Sequence, residues 1–179
     1  MALEGRWWTW ANLMSATRFA CIAPCVWAVL VDRWDIAAAC FATAVVTDFL
    51  DGPIARRRGD ASPLGGVIDH ASDASFVAAS LAAIAATGRI TPWLPILVAA
   101  AFIQYTWDSK VLAGRSLRTS RLGRYNGIAY YVVAGIPIIS EALRLGWPPV
   151  AWVAALAWLL VGTTLISMFD RARALRTAS

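Results

Sequence analysis

Apolar residues run along this 179-residue chain in long blocks rather than in alternation, and the blocks decide its class. Six of them, near residues 11–31, 35–55, 66–87, 92–112, 127–143 and 148–169, each approach the roughly 20 residues that an α-helix needs to cross hydrocarbon. Ala, Leu and Val dominate without a two-residue period. Only helices and closed barrels satisfy their backbone groups in lipid, so the pattern predicts an all-α polytopic membrane protein with six transmembrane helices. The longest interruption, from about Ala113 to Asn126, leaves no space for a soluble domain, and residues 1–179 read as a single membrane domain. The absence of an internal repeat argues against a transporter built from two inverted halves.

Charge adds an orientation. Six spans put both termini on one side with the loops joining spans 2–3 and 4–5. That side holds Arg6, Arg56, Arg57, Arg58, Lys110, Arg115, Arg118, Arg121, Arg124, Arg171, Arg173 and Arg176, against Arg33, Arg89 and Arg144 opposite, with Arg18 inside span 1. Twelve against three predicts cytoplasmic termini. The net charge of +5 suits anionic headgroups, and nucleic acid is a poor partner because the basic residues sit at helix ends beside spans. Trp7, Trp8, Trp10, Trp34, Trp93 and Trp147 flank spans and read as headgroup-level anchors. Cys21, Cys25 and Cys40 lie in apolar helix, without the polar partners of a zinc site or disulfide framework, and read as packing residues. No cleavable signal pattern opens the chain, so span 1 is expected to remain.

Within this apolar frame four carboxylates stand out. Asp48 and Asp51 end span 2, and Asp69 and Asp73 begin span 3. An aspartate near a helix centre costs about 3 kcal/mol to place in a membrane, and four together also repel one another, so compensation is required. At about 100° per residue, Asp48 and Asp51 lie about 60° apart, and Asp69 and Asp73 about 40°. Two helices joined by a short loop can therefore aim all four acids into one space. Hard oxygen ligands of this kind suit Mg²⁺ or Mn²⁺, and two such ions would neutralise the cluster. Gly52, Ala55 and Gly65 clear space on the acidic faces for a bulky polar ligand. Arg56 offers a planar cation for a diphosphate, and Pro53 removes a backbone donor near the end of span 2.

The stretch Asp48-x2-Asp51-Gly52-x2-Ala55-Arg56-x8-Gly65-x3-Asp69-x3-Asp73 resembles, at every specified position, the signature of the CDP-alcohol phosphotransferase family. Asn12-x2-Ser15-x2-Arg18 in span 1 is similar to the family's polar stripe there, with Ala11 where many members carry Pro. The resemblance implies that Asp48, Asp51, Asp69 and Asp73 hold two divalent ions bridging the CDP diphosphate, while Gly52, Ala55 and Arg56 shape the nucleotide pocket. It further implies Asp73 as the base that takes the acceptor's proton, with release of CMP. The expected activity is transfer of a phosphatidyl group from a CDP-linked donor, CDP-diacylglycerol first, to an alcohol such as glycerol 3-phosphate or an inositol phosphate. A homodimer in a bacterial cytoplasmic membrane, with the site facing the cytoplasm, is expected on the same basis.

A second polar region, GRSLRTSRLGRYNG, reads as topology and headgroup contact for most of its cations, with Arg115 and Arg118 as candidates for an acceptor phosphate. His70 turns about 100° from the face of Asp69 and reads as packing. Gln104 and Asp108 share a helix face and read as a helix-end polar pair. Two other readings compete. An intramembrane prenyltransferase also uses paired aspartates and Mg²⁺ but needs a larger fold, and an ion-coupled transporter would place its acids at the bilayer midplane.

Overall fold

The structure, a computed structural model, describes residues 10–58, 63–108 and 121–176; at residues 11, 55–57, 63, 64, 107, 108, 121 and 174–176 it describes the backbone alone. Among the described residues six helices follow one another: α1 Trp10–Leu30, α2 Trp34–Arg58, α3 Pro63–Ala86, α4 Trp93–Asp108, α5 Arg121–Ala142 and α6 Val150–Arg176. Four are long and apolar enough to cross a membrane, over Asn12–Leu30, Trp34–Ile54, Gly65–Ala86 and Val150–Arg173, and Trp93–Thr106 is a shorter apolar helix. The chain is an integral membrane protein.

Helix boundaries differ from the apolar blocks where polar residues continue a helix. α2 runs on through Pro53 to Arg58, and α3 begins at Pro63, so all four site carboxylates lie inside helices rather than at their tips. α5 opens at Arg121, six residues before its apolar stretch, because its first turns line a cavity instead of lipid. The turns after α1 and α5 close with Schellman bonds. Arg33 N–H donates to Ala28 C=O at 2.8 Å with Asp32 at φ 57°, and Leu145 N–H donates to Ser140 C=O at 2.9 Å with Arg144 at φ 53°. These caps satisfy carbonyls that would otherwise be orphaned at a helix end.

α1 packs against both α2 and α3, whereas α2 and α3 touch each other little; α4 lies against α3 and α6, and α5 against α2, α3 and α6. Ala28, Ala37, Ala44 and Ala134 are fully buried, and such small residues let helix backbones approach closely where lipid supplies no hydrophobic drive. Gly135 shows the same device: a Cβ there would meet the Phe41 ring at 2.9 Å. Phe41 in turn packs between Phe76 and Tyr131, with ring centroids 6.2 Å and 6.1 Å away. This aromatic layer joins α2, α3 and α5, with Phe76 about one turn along α3 from Asp73.

Two expectations about apolar positions meet different fates. Trp10, Trp93 and Trp147 are exposed, as interfacial anchors must be, but Trp34 is buried. Its indole N–H donates to Asp32 Oδ1 at 3.2 Å and its ring lies under the Arg89 guanidinium, so it packs between helices. Trp7 and Trp8 lie outside the described residues. Cys25 is buried, Cys21 and Cys40 are partly buried, and all three are free thiols.

Candidate active site

The geometry of the site follows from the position of α1. Because this helix lies between α2 and α3, its Arg18 side chain reaches the acidic faces of both, and it is fully buried there. Nη2 serves α2, at 2.8 Å from Asp51 Oδ2 and 3.7 Å from Asp48 Oδ1. Nη1 serves α3, at 2.9 Å from Asp69 Oδ1, with Asp73 Oδ1 as a second ion-pair partner and Ser72 Oγ at 2.8 Å. Ser72 Oγ–H donates in turn to Asp69 C=O at 2.8 Å, which fixes the hydroxyl. One guanidinium thus gathers all four carboxylates.

The acids of α2 and α3 do face one space, as expected, and α1 is an addition to that picture. α2 and α3 make few contacts with each other, and a third helix carrying a cation joins them. The signal was present in the sequence: a permanently charged residue eight positions into an apolar helix needs a counter-charge nearby.

Chemically the cluster suits a hard cation. Ligand atoms of Asp48, Asp51 and Asp69 lie within 4.8 Å of one another, and these three residues can hold a metal ion. Four carboxylates less one guanidinium leave three negative charges, a surplus that further cations would offset. Asp51 is buried, while Asp48 and Asp69 are 44% and 36% exposed at the side chain, so the acids open outward and Arg18 closes the inner end.

Beside the acids lies a cavity of about 360 Å³. Asp48 and Asp73 line one side, and Arg124, Asn126, Tyr131 and Arg171 line the side formed by α5 and α6. Tyr131 Oη–H donates to Asp73 Oδ1 at 3.2 Å. Asn126 is buried, and its Nδ2 has no hydrogen-bond partner among the described residues, which leaves a donor at the cavity wall. His70 also lines the cavity, with its ring 4.5 Å from that of Tyr105, over which the Arg171 guanidinium sits at 4.6 Å. Gln104 lines it too and donates through Nε2 to Met168 C=O at 3.1 Å, so its partner is α6.

Of the other residues singled out in the sequence, Gly52 follows Asp51 in α2 and is half-buried, and Gly65 is half-buried in the first turn of α3, one turn before Asp69. Ala55 and Arg56 lie on the helical backbone of α2, but their side chains, like that of Asp108, are outside the described residues, as are Arg115 and Arg118 entirely. Arg18, Tyr131, Asn126 and the α6 cation Arg171 are the site neighbours that sequence reasoning did not assign.

The carboxylate cluster, held by three helices and opening on a largely apolar cavity with a few polar groups on its wall, is consistent with a metal site in a membrane protein. A model of the CDP-alcohol phosphatidyltransferase family matches residues 8–167, and the chain belongs to that family. That family uses a divalent metal, a CDP-alcohol donor and an alcohol acceptor. Two proteins of Mycobacterium tuberculosis, from strains CDC 1551 / Oshkosh and ATCC 25618 / H37Rv, are each described as a probable phosphatidylglycerophosphate synthase. Each is 33% identical to this chain over 63 residues, a stretch that is 35% of this chain and 30% of the relative, so the match spans less than a third of their length. No solved structure matches the chain.

Proposed function

We propose that the protein transfers the phosphatidyl group of CDP-diacylglycerol to an alcohol that itself carries a phosphate, releasing CMP. The observation that carries this reading is the cavity that joins the carboxylate cluster, through Asp48 and Asp73, to the cations Arg124 and Arg171 opposite. Guanidinium groups bind phosphate through paired N–H donors, whereas uncharged inositol or cationic choline would offer them no anion to bind. Glycerol 3-phosphate comes before an inositol phosphate, because the M. tuberculosis relatives are described as phosphatidylglycerophosphate synthases.

Asp48, Asp51, Asp69 and Asp73 would hold two Mg²⁺ or Mn²⁺ ions, and Gly52, Ala55, Arg56 and Gly65 would border the nucleotide diphosphate. When bound, divalent ions neutralise the diphosphate and the charge that develops on the attacking and leaving oxygens. Asp73 takes the proton of the acceptor hydroxyl. Arg18 and Tyr131 both hold its Oδ1, which fixes the carboxylate beside the cavity. The acceptor oxygen then bonds to the phosphorus bearing the lipid, the P–O bond to CMP breaks, and its electron pair leaves with CMP. The Asn126 amide supplies a donor for an acceptor hydroxyl. Arg115 and Arg118 stay candidates for the same phosphate.

The whole chain acts as one six-span domain, a homodimer in a bacterial cytoplasmic membrane. The bias of Arg and Lys residues supports a cytoplasmic side for both termini and the site.

CMP release from CDP-diacylglycerol and Mn²⁺ by purified, reconstituted protein tests the proposal. Release should appear with glycerol 3-phosphate or an inositol phosphate and vanish with a chelator. Release with free inositol, serine or choline but neither phosphorylated acceptor would overturn the phosphate-bearing acceptor, and no release with any acceptor would overturn the activity.

A further inference from the structure

We propose that Arg18 is a resident counter-cation of the carboxylate cluster, which holds the site assembled without metal and weakens its grip on divalent ions. The inference rests on the metal-site reading above and concerns what the ions must contend with. The guanidinium ion-pairs with each of the four carboxylates, two through each terminal nitrogen, so no ligand is beyond its charge. It is fully buried, and Nε has no hydrogen-bond partner among the described residues, so its contacts are concentrated on the acids and Ser72.

Two effects of opposite sign follow from that placement. Without ions, four carboxylates facing one another inside a membrane would repel and splay, and Arg18 removes much of that repulsion. With ions bound, the same permanent positive charge stands within a few ångströms of every cation the carboxylates accept, and like charges at that range repel strongly in a medium less polar than water. Arg18 therefore stabilises the metal-free site more than the loaded one, and by linkage it lowers metal affinity. A site that binds loosely but stays formed can exchange its ions with the nucleotide diphosphate, whose negative charge the guanidinium also favours. Arg18 is a positioning residue, acting through the carboxylates.

The experiment compares wild type, Arg18→Met and Arg18→Lys as full-length protein in nanodiscs, titrated with Mn²⁺ alone. The spectroscopic signal of free Mn²⁺ gives the Kd, and thermal unfolding is followed in chelator and in saturating Mn²⁺. The R18M variant should bind Mn²⁺ at least tenfold more tightly than wild type. Its Tm should fall in chelator and recover most of the loss in Mn²⁺. R18K keeps the charge and should stay within about threefold of the wild-type Kd. A merely structural arginine would lower the Tm equally with and without Mn²⁺ and leave the Kd unchanged, and that result, or weaker binding in R18M, overturns the proposal. So does an R18M protein that remains unfolded at saturating Mn²⁺, because the ions should then replace the guanidinium. Wild type that binds no Mn²⁺ would instead sink the metal-site reading itself.

Discussion

The two ends of this helical bundle each hold an arginine ion-paired between helices, and they are built to different charge balances. At one end Arg89, beyond α3, meets Glu141 of α5 at 2.8 Å and stacks over Trp34 of α2 at 4.7 Å. One cation faces one carboxylate, and the crevice there is about 20 Å³. At the other end Arg18 faces four carboxylates beside a cavity of about 360 Å³. The first end is a neutral clamp that ties α2, α3 and α5 together. The second sets four carboxylates against one buried guanidinium next to open volume, an uneven local pairing that stability alone does not call for, since unbalanced charges in a membrane are costly. An uneven pairing of this kind agrees with the site proposed above.

The largest effect should come from Asp73→Asn, which keeps the size of the side chain and removes its basicity. Turnover should fall by a factor of about 10²–10⁴ while Mn²⁺ binding persists, measured as CMP release beside a metal titration. Turnover like wild type would take the base role from Asp73. A smaller loss should follow Gly135→Ala, because the added methyl meets the Phe41 ring, which is itself wedged between Phe76 and Tyr131. Overpacking of this sort costs about 1–3 kcal/mol, and it should disturb Tyr131 enough to lower turnover as well; unchanged unfolding would show that Phe41 yields freely. The smallest should be Glu141→Gln at the opposite end, about 0–1 kcal/mol, because both partners there are partly exposed, with activity retained. A loss of CMP release in that variant would break the division between the two ends.

Much of this arrangement was legible in the sequence, and the part that was not has physical reasons. Apolar block length located all six helices, and the i, i+3 and i, i+4 spacings put each pair of acids on one face. The cation among those acids was visible as an isolated charge in span 1, but only the packing of α1 between α2 and α3 shows which acids it meets. Tyr131 and Asn126 were not legible, because α5 joins the site across more than fifty residues and its ordinary polar side chains carry no spacing signal. The start of α5 was misplaced because hydropathy measures contact with lipid, and a turn lining a cavity has none. Trp34 was misread for the converse reason: at a helix start an indole can face headgroups or turn inward, and Arg89 draws it inward.

The wedge formed by α1 also bears on how the protein enters its membrane. Arg18, Asp48, Asp51, Asp69 and Asp73 all precede residue 74 of 179. A growing polypeptide that has delivered only its first three helices already contains every charge of the cluster, and Arg18 can pair with all four acids before the later helices emerge. The most burdensome step of insertion is thus settled early, and the second half of the chain arrives to wall a cavity around an ionic knot that has already been tied.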